Sequence, residues 1–129
     1  MKILVADDSR VMRQIVIRTL RQAGYDDHDI VEAEDGRDAL DKVASEKPDL
    51  VLSDWNMPNM TGIDLLRAIR ADAALKSLPV LMVTAENNRD QIIAAAQSGV
   101  NGYVVKPFTA VTLKEKLDKI FERLAAAAG

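Results

Sequence analysis

Residues 51–62 read VLSDWNMPNMTG. With Leu50 in front, the stretch begins as an unbroken apolar run of strand length. Continuous rather than alternating hydrophobicity is the pattern of a strand covered on both faces, as in a parallel sheet flanked by helices. The run then delivers Asp54 to its tip and dissolves into a tryptophan, an amide, a proline and the turn residue Gly62. A carboxylate at the end of a buried strand is costly to desolvate, so its reason must lie beyond the strand.

Other runs of the same kind stand at 3–6 (ILVA), 80–84 (VLMVT) and 103–106 (YVVK), with a weaker one at 29–33 (DIVEA). Between them lie helical patterns. Val11, Ile15 and Leu20, with Met12 and Val16, predict one face of a helix that stops at Gly24. Ala39, Leu40 and Val43 predict a second helix after Gly36. Ile63, Leu65, Leu66 and Ile69 predict a third, and Ile92, Ile93 and Ala96 a fourth before Gly99. Leu113, Leu117, Ile120, Phe121 and Leu124 predict a fifth. Strand and helix alternate five times. That implies βαβ units with right-handed crossovers and an α/β doubly wound sheet of five parallel strands. A chain of 129 residues is one domain in size, expected over 1–124, with a helix-favouring tail at 125–129.

Composition narrows the classes. Apolar residues at 48% supply a core, and charged residues at 29% solvate the surface. A net charge of -3 argues against nonspecific nucleic-acid binding, which needs a basic footprint. The absence of cysteine removes disulfides and thiolate metal sites and suits a reducing cytoplasm. No apolar stretch reaches the roughly 20 residues of a membrane span, and the first ten residues lack the form of a signal peptide.

In open parallel α/β sheets, ligands bind outside the carboxyl ends of the strands. There the first strand brings Asp7 and Asp8, the third Asp54, the fourth Thr84 and the fifth Lys106 followed by Pro107. Three carboxylates together repel unless a cation joins them. A hard divalent ion with oxygen ligands fits, Mg²⁺ above all, and zinc lacks its usual ligands here. A carboxylate can also attack phosphorus, and Asp54, heading the central strand, is the best-placed nucleophile. Lys106 then offers a point charge for phosphoryl oxygens and Thr84 a hydroxyl.

These segments resemble the response-regulator receiver domain. VADDS is similar to its first-strand acidic pair, LVLSDWNMPNMTG to its acceptor loop, LMVTAE to its threonine strand and GYVVKPF to its lysine–proline loop. Further likeness to the chemotaxis branch lies in LPVLMVTAE, IIAAAQSG and LKEKLDKIFE. The resemblance implies a flavodoxin-like sheet of strand order 2-1-3-4-5. It implies Asp54 as phosphoacceptor and a Mg²⁺ site from Asp8, Asp54, the main-chain carbonyl of Asn56 and, through water, Asp7. Thr84, Lys106 and the backbone N–H of Ala85 are implied to contact the phosphoryl group. Asn56 and Glu86 are implied to tune its hydrolysis. Tyr103 is implied as an aromatic switch on a partner face with Ile92, Val105, Lys116 and Lys119. Implied partners are a histidine kinase, a phosphatase and an effector such as the flagellar motor switch. The implied protein is a monomer and no enzyme beyond its own phosphorylation and dephosphorylation.

Two departures from the branch fall beside this site. Ser9-Arg10-Val11 stands where the branch begins with an aromatic residue, and the loop over 24–33 is slightly longer. Elsewhere the plain readings hold. His28, in an acidic turn, reads as solvated; Met57, Met60 and Met82 read as packing and loop residues; Trp55 reads as an exposed or half-exposed neighbour of Asp54. Three rivals share parts of the pattern. A phosphorelay shuttle would differ in its partner. An aspartyl-phosphate phosphatase would need an acid where Asn56 stands. An FMN carrier would need a hydroxyl-rich loop where DDSRVM places carboxylates.

Overall fold

A computed structural model of the chain describes residues 1–25, 29–85 and 88–128. Five strands, β1 (Lys2–Ala6), β2 (Asp29–Ala33), β3 (Leu50–Asp54), β4 (Val80–Thr84) and β5 (Gly102–Val105), form one parallel sheet in the order β2-β1-β3-β4-β5. Five helices alternate with them: α1 (Arg10–Leu20), α2 (Gly36–Glu46), α3 (Gly62–Ala71), α4 (Arg89–Gln97) and α5 (Ala110–Ala128). The doubly wound architecture and the strand order are those expected.

The sheet divides the interior into two apolar layers. Leu4, Val51, Val80 and Met82 face a layer closed by Ala39 and Val43 of α2, Leu65, Leu66 and Ile69 of α3, and Ala95 of α4. Ile3, Val5, Leu50, Leu52, Leu81 and Val83 face the other, closed by Val16, Ile17 and Leu20 of α1 and Leu113, Leu117 and Ile120 of α5. Neighbouring residues of β3 therefore serve opposite cores, which is why the central run cannot alternate. The edge strand β2 has only Ala33 fully buried, which accounts for its weaker sequence signal.

Helix starts follow side-chain caps. Ser9, Asp35, Thr61 and Asn88 each accept a hydrogen bond from a backbone N–H in the first turn of α1, α2, α3 and α4. Beyond Leu20 the chain continues as a wider π-type turn (Arg21–Tyr25) that is broken at Gly24, whose φ of 100° lies in the left-handed region. The tail residues through Ala128 continue α5.

Three readings are corrected. Val11 and Ile15 of α1 lie outward, 69% and 43% exposed, because the stripe that meets the sheet is Val16, Ile17 and Leu20. In α4, Ile93 is 44% exposed and Ala96 is also exposed; Ala95 is the residue this helix buries. Trp55 is only 9% exposed: its indole joins the α2–α3 layer with Met57 and Ile63, where burying a large ring outweighs the position of its backbone in a loop. The methionines behave as read, with Met57 and Met82 buried and Met60 packed against the same layer.

Candidate functional site at the carboxyl edge of the sheet

The five strands end on one edge, and the polar residues follow from that. Asp7 and Asp8 come just after β1, Asp54 and Thr84 are the last residues of β3 and β4, and Lys106 follows β5. Each of Asp7, Asp8 and Asp54 offers a carboxylate oxygen, and the three atoms lie within 4.8 Å of one another. Lys106 Nζ stands 3.3 Å from Asp7 Oδ2 and 3.4 Å from Asp54 Oδ1. Asp7 is buried and Asp54 nearly so, while Asp8 is exposed at the mouth. Thr84 is fully buried, and its main-chain oxygen accepts from the Lys106 N–H at 2.6 Å. The β4 and β5 ends are thereby tied together. The Lys106–Pro107 peptide is cis.

The loop after β3 is drawn tight beneath Asp54. Gly62 N–H donates to Trp55 O at 2.8 Å, and a Cβ on Gly62 would stand 2.2 Å from Asp54 O, so only glycine fits. Asn59 donates from Nδ2 to Asp35 Oδ2 at 2.8 Å, pinning the loop tip to the start of α2. Trp55 N–H donates to Asp54 Oδ1 at 2.9 Å.

Burial pushes the Asp54 carboxyl above its ordinary range. The Lys106 ammonium opposes this, the Asp7 charge adds to it, and the Trp55 N–H opposes it. One ammonium, against Asp7 and Asp54, thus balances a cluster of three carboxylates and leaves negative charge uncompensated. Among the described residues the donor set is all hard oxygen. That fits a small divalent cation held by few protein ligands and several waters.

Asn56 is exposed beside Asp54, and Ala85 is exposed after Thr84. Glu86 and His28 lie outside the described residues. On the adjoining face, Ile92, Tyr103, Val105 and Lys116 line one hollow of about 550 Å³ together with Phe108 and Thr112. Tyr103 is half-buried and packs against the α2–α3 layer. Lys119 is exposed on α5 and does not line the hollow. Sequence reasoning missed Arg13, which reaches the main chain of Asp7, and the Asp35–Asn59 tie. Neither has a hydrophobic period or motif to betray it: the Asp35–Asn59 tie and the Arg13–Glu32 pair join residues 24 and 19 positions apart.

A parallel sheet with an acidic triad and a lysine at its carboxyl edge defines a class, and comparison with known families agrees. Residues 3–118 match the model of the response regulator receiver domain, and the chain belongs to that family. Within it the chain is CheY-like. It is 62% identical over 124 residues to the chemotaxis protein CheY of Pseudomonas aeruginosa, covering 96% of this chain and 98% of that protein. It is equally identical to CheY-3 of Vibrio cholerae, covering 96% and 94%. Among solved structures, the chemotaxis response regulator CheY4 of Vibrio cholerae superposes with a TM-score of 0.81 at 39% identity, over 92% of this chain and 97% of that one.

Proposed function

We propose that the chain is a chemotaxis-type response regulator switched by phosphorylation of Asp54. The observation that carries this is the meeting of Asp7, Asp8 and Asp54 within 4.8 Å, with Lys106 against two of them. Asp8, Asp54 and the Asn56 carbonyl would hold Mg²⁺ directly, and Asp7 through water. The ion supplies charge neutralisation for phosphoryl oxygens. An Asp54 carboxylate oxygen attacks the phosphorus of a phosphohistidine on a kinase; the P–N bond breaks and the imidazole leaves with its electron pair. Lys106 receives phosphoryl oxygens with a charge already at 3.4 Å from the acceptor. The Thr84 hydroxyl and the Ala85 N–H complete the contacts. Asn56 and, by the family likeness, Glu86 set how fast water removes the group.

The new dianion draws Thr84 toward it, and Tyr103 turns into the space that opens. The hollow lined by Ile92, Tyr103, Val105 and Lys116 changes shape, and Lys119 extends the face along α5. An effector that binds only the altered face shifts the population toward it. The flagellar motor switch is the effector that the CheY likeness favours, and a phosphatase completes the cycle. The protein acts in the cytoplasm as a monomeric signal transducer. Among the described residues no helix is long and apolar enough to cross a membrane.

The test follows Trp55 fluorescence during addition of Mg²⁺ and then acetyl phosphate, with intact mass read beside it and Asp54→Ala as control. A Mg²⁺-dependent change, a donor-dependent second change and a mass gain of one phosphoryl group, the last two absent in the control, establish the chemistry. A parent that gains no phosphoryl group overturns it.

A further inference from the structure

Behind the acidic pair sits a side chain that phosphoryl transfer does not touch. Arg13, on α1, donates from Nη1 to the main-chain oxygen of Asp7 at 2.7 Å. Its Nε donates to Glu32 Oε1 of β2 at 3.0 Å. The Arg13 side chain is only 14% exposed, so the guanidinium has exchanged most of its water for these two acceptors. A planar fork is suited to this: its donors have fixed directions, and holding one acceptor aims the other.

The main-chain oxygen of Asp7 belongs to the peptide unit whose nitrogen is that of Asp8. Fixing that oxygen fixes the plane from which Asp8 projects. The other groups of Asp7 are also held: its N–H donates to Ala33 O at 3.1 Å, and its Oδ1 accepts from Ser9 N–H at 2.9 Å. The Asp8 carboxylate has no such support. It is exposed and makes no hydrogen bond or ion pair among the described residues, so its direction comes from its backbone.

We infer that Arg13, held by Glu32, is a positioning residue for the divalent-cation site, aiming Asp8 through the Asp7–Asp8 peptide. This rests on the metal-site reading given above. Two effects compete here and have opposite signs. As a bare cation near a cation site, Arg13 would weaken metal binding, and its removal would tighten it. As a positioning group it strengthens binding, and its removal loosens it.

Calorimetric titration of the full chain with Mg²⁺ at fixed ionic strength separates them. Supporting groups of this kind change metal affinity by 10-fold or more, so Arg13→Gln is expected to raise the Mg²⁺ Kd about tenfold. Arg13→Lys keeps the charge but not the fork and also raises the Kd. Glu32→Gln raises it by a smaller factor. Lys42→Gln is the control: its ammonium ties α2 to the Glu32 main-chain oxygen without reaching Asp7, and the Kd stays at the parent value. Unchanged or tighter binding by Arg13→Gln overturns the proposal. Should circular dichroism show that variant unfolded, Arg13→Lys and Glu32→Gln decide by the same criterion. A parent that binds no Mg²⁺ defeats the metal-site reading itself, an outcome separate from a parent that binds and variants that bind equally well.

Discussion

The bodies of the strands and their carboxyl ends are a few residues apart and obey opposite rules. In the bodies, Ile3 to Val5, Leu50 to Leu52 and Val80 to Val83 are almost wholly buried, and every side chain meets another apolar one. At the ends, Asp7, Asp54 and Thr84 are withdrawn from water while Asp7 and Asp54 share a single ammonium. The first region stabilises the fold; the second leaves charge poorly compensated. Apolar packing and the charged cluster are thus separated by a few residues along β1 and β3.

That separation can be tested in order of effect. Leu50, fully buried at the far end of β3 from Asp54, should be the most sensitive. Leu50→Ala should cost about 3 kcal/mol in urea unfolding, within the usual range for such truncations. Its uptake of phosphoryl groups should match the parent while it remains folded; a loss of uptake would break the division. Asp35→Ala comes next. It removes the α2 cap and the Asn59 tie together and should cost about 1 kcal/mol at neutral pH. Backbone N–H donation from Asp38, with the Asn59 amide, holds the Asp35 carboxyl below its ordinary range. Its contribution is therefore present above the unfolded-state pKa and disappears as pH falls through the folded one, so parent and variant should converge in acid.

The smallest effect has the opposite sign. Asp54→Asn, in Mg²⁺-free buffer at pH 7, should melt slightly higher than the parent while accepting no phosphoryl group. Burial raises the Asp54 pKa on folding, so the folded state takes up its proton more readily than the unfolded one. Its destabilisation is present above the folded pKa and is relieved as pH falls toward the unfolded value. The gap between the two melting curves should then narrow in acid; a variant that melts lower at pH 7 would show that the carboxyl edge is not under electrostatic load.

The same contrast explains what could be read in advance. Strand bodies announce themselves because burial on both faces leaves only apolar residues, and their ends because polar residues interrupt those runs. Helix faces were less legible. α1 carries more apolar residues than its buried stripe needs, so periodicity alone did not choose between Ile15 and Ile17. In α4 the alanines surround the helix and mark no side. Trp55 turns inward to join the apolar cluster on its side of the sheet, a fact of tertiary packing with no local trace. Asp7, Asp8, Asp54, Thr84 and Lys106 were legible because each lies at or just past a strand end; Arg13 was not, since it joins the turn after β1 to β2.

α4 contributes one buried residue, Ala95, where α5 contributes Leu113, Leu117 and Ile120. In hydrogen exchange, the amides of α4 should open well before those of α5, since little apolar burial is lost when the helix lifts. α4 is thus held by far less buried apolar surface than α5, and a partner that engages its outer face meets little resistance from the core.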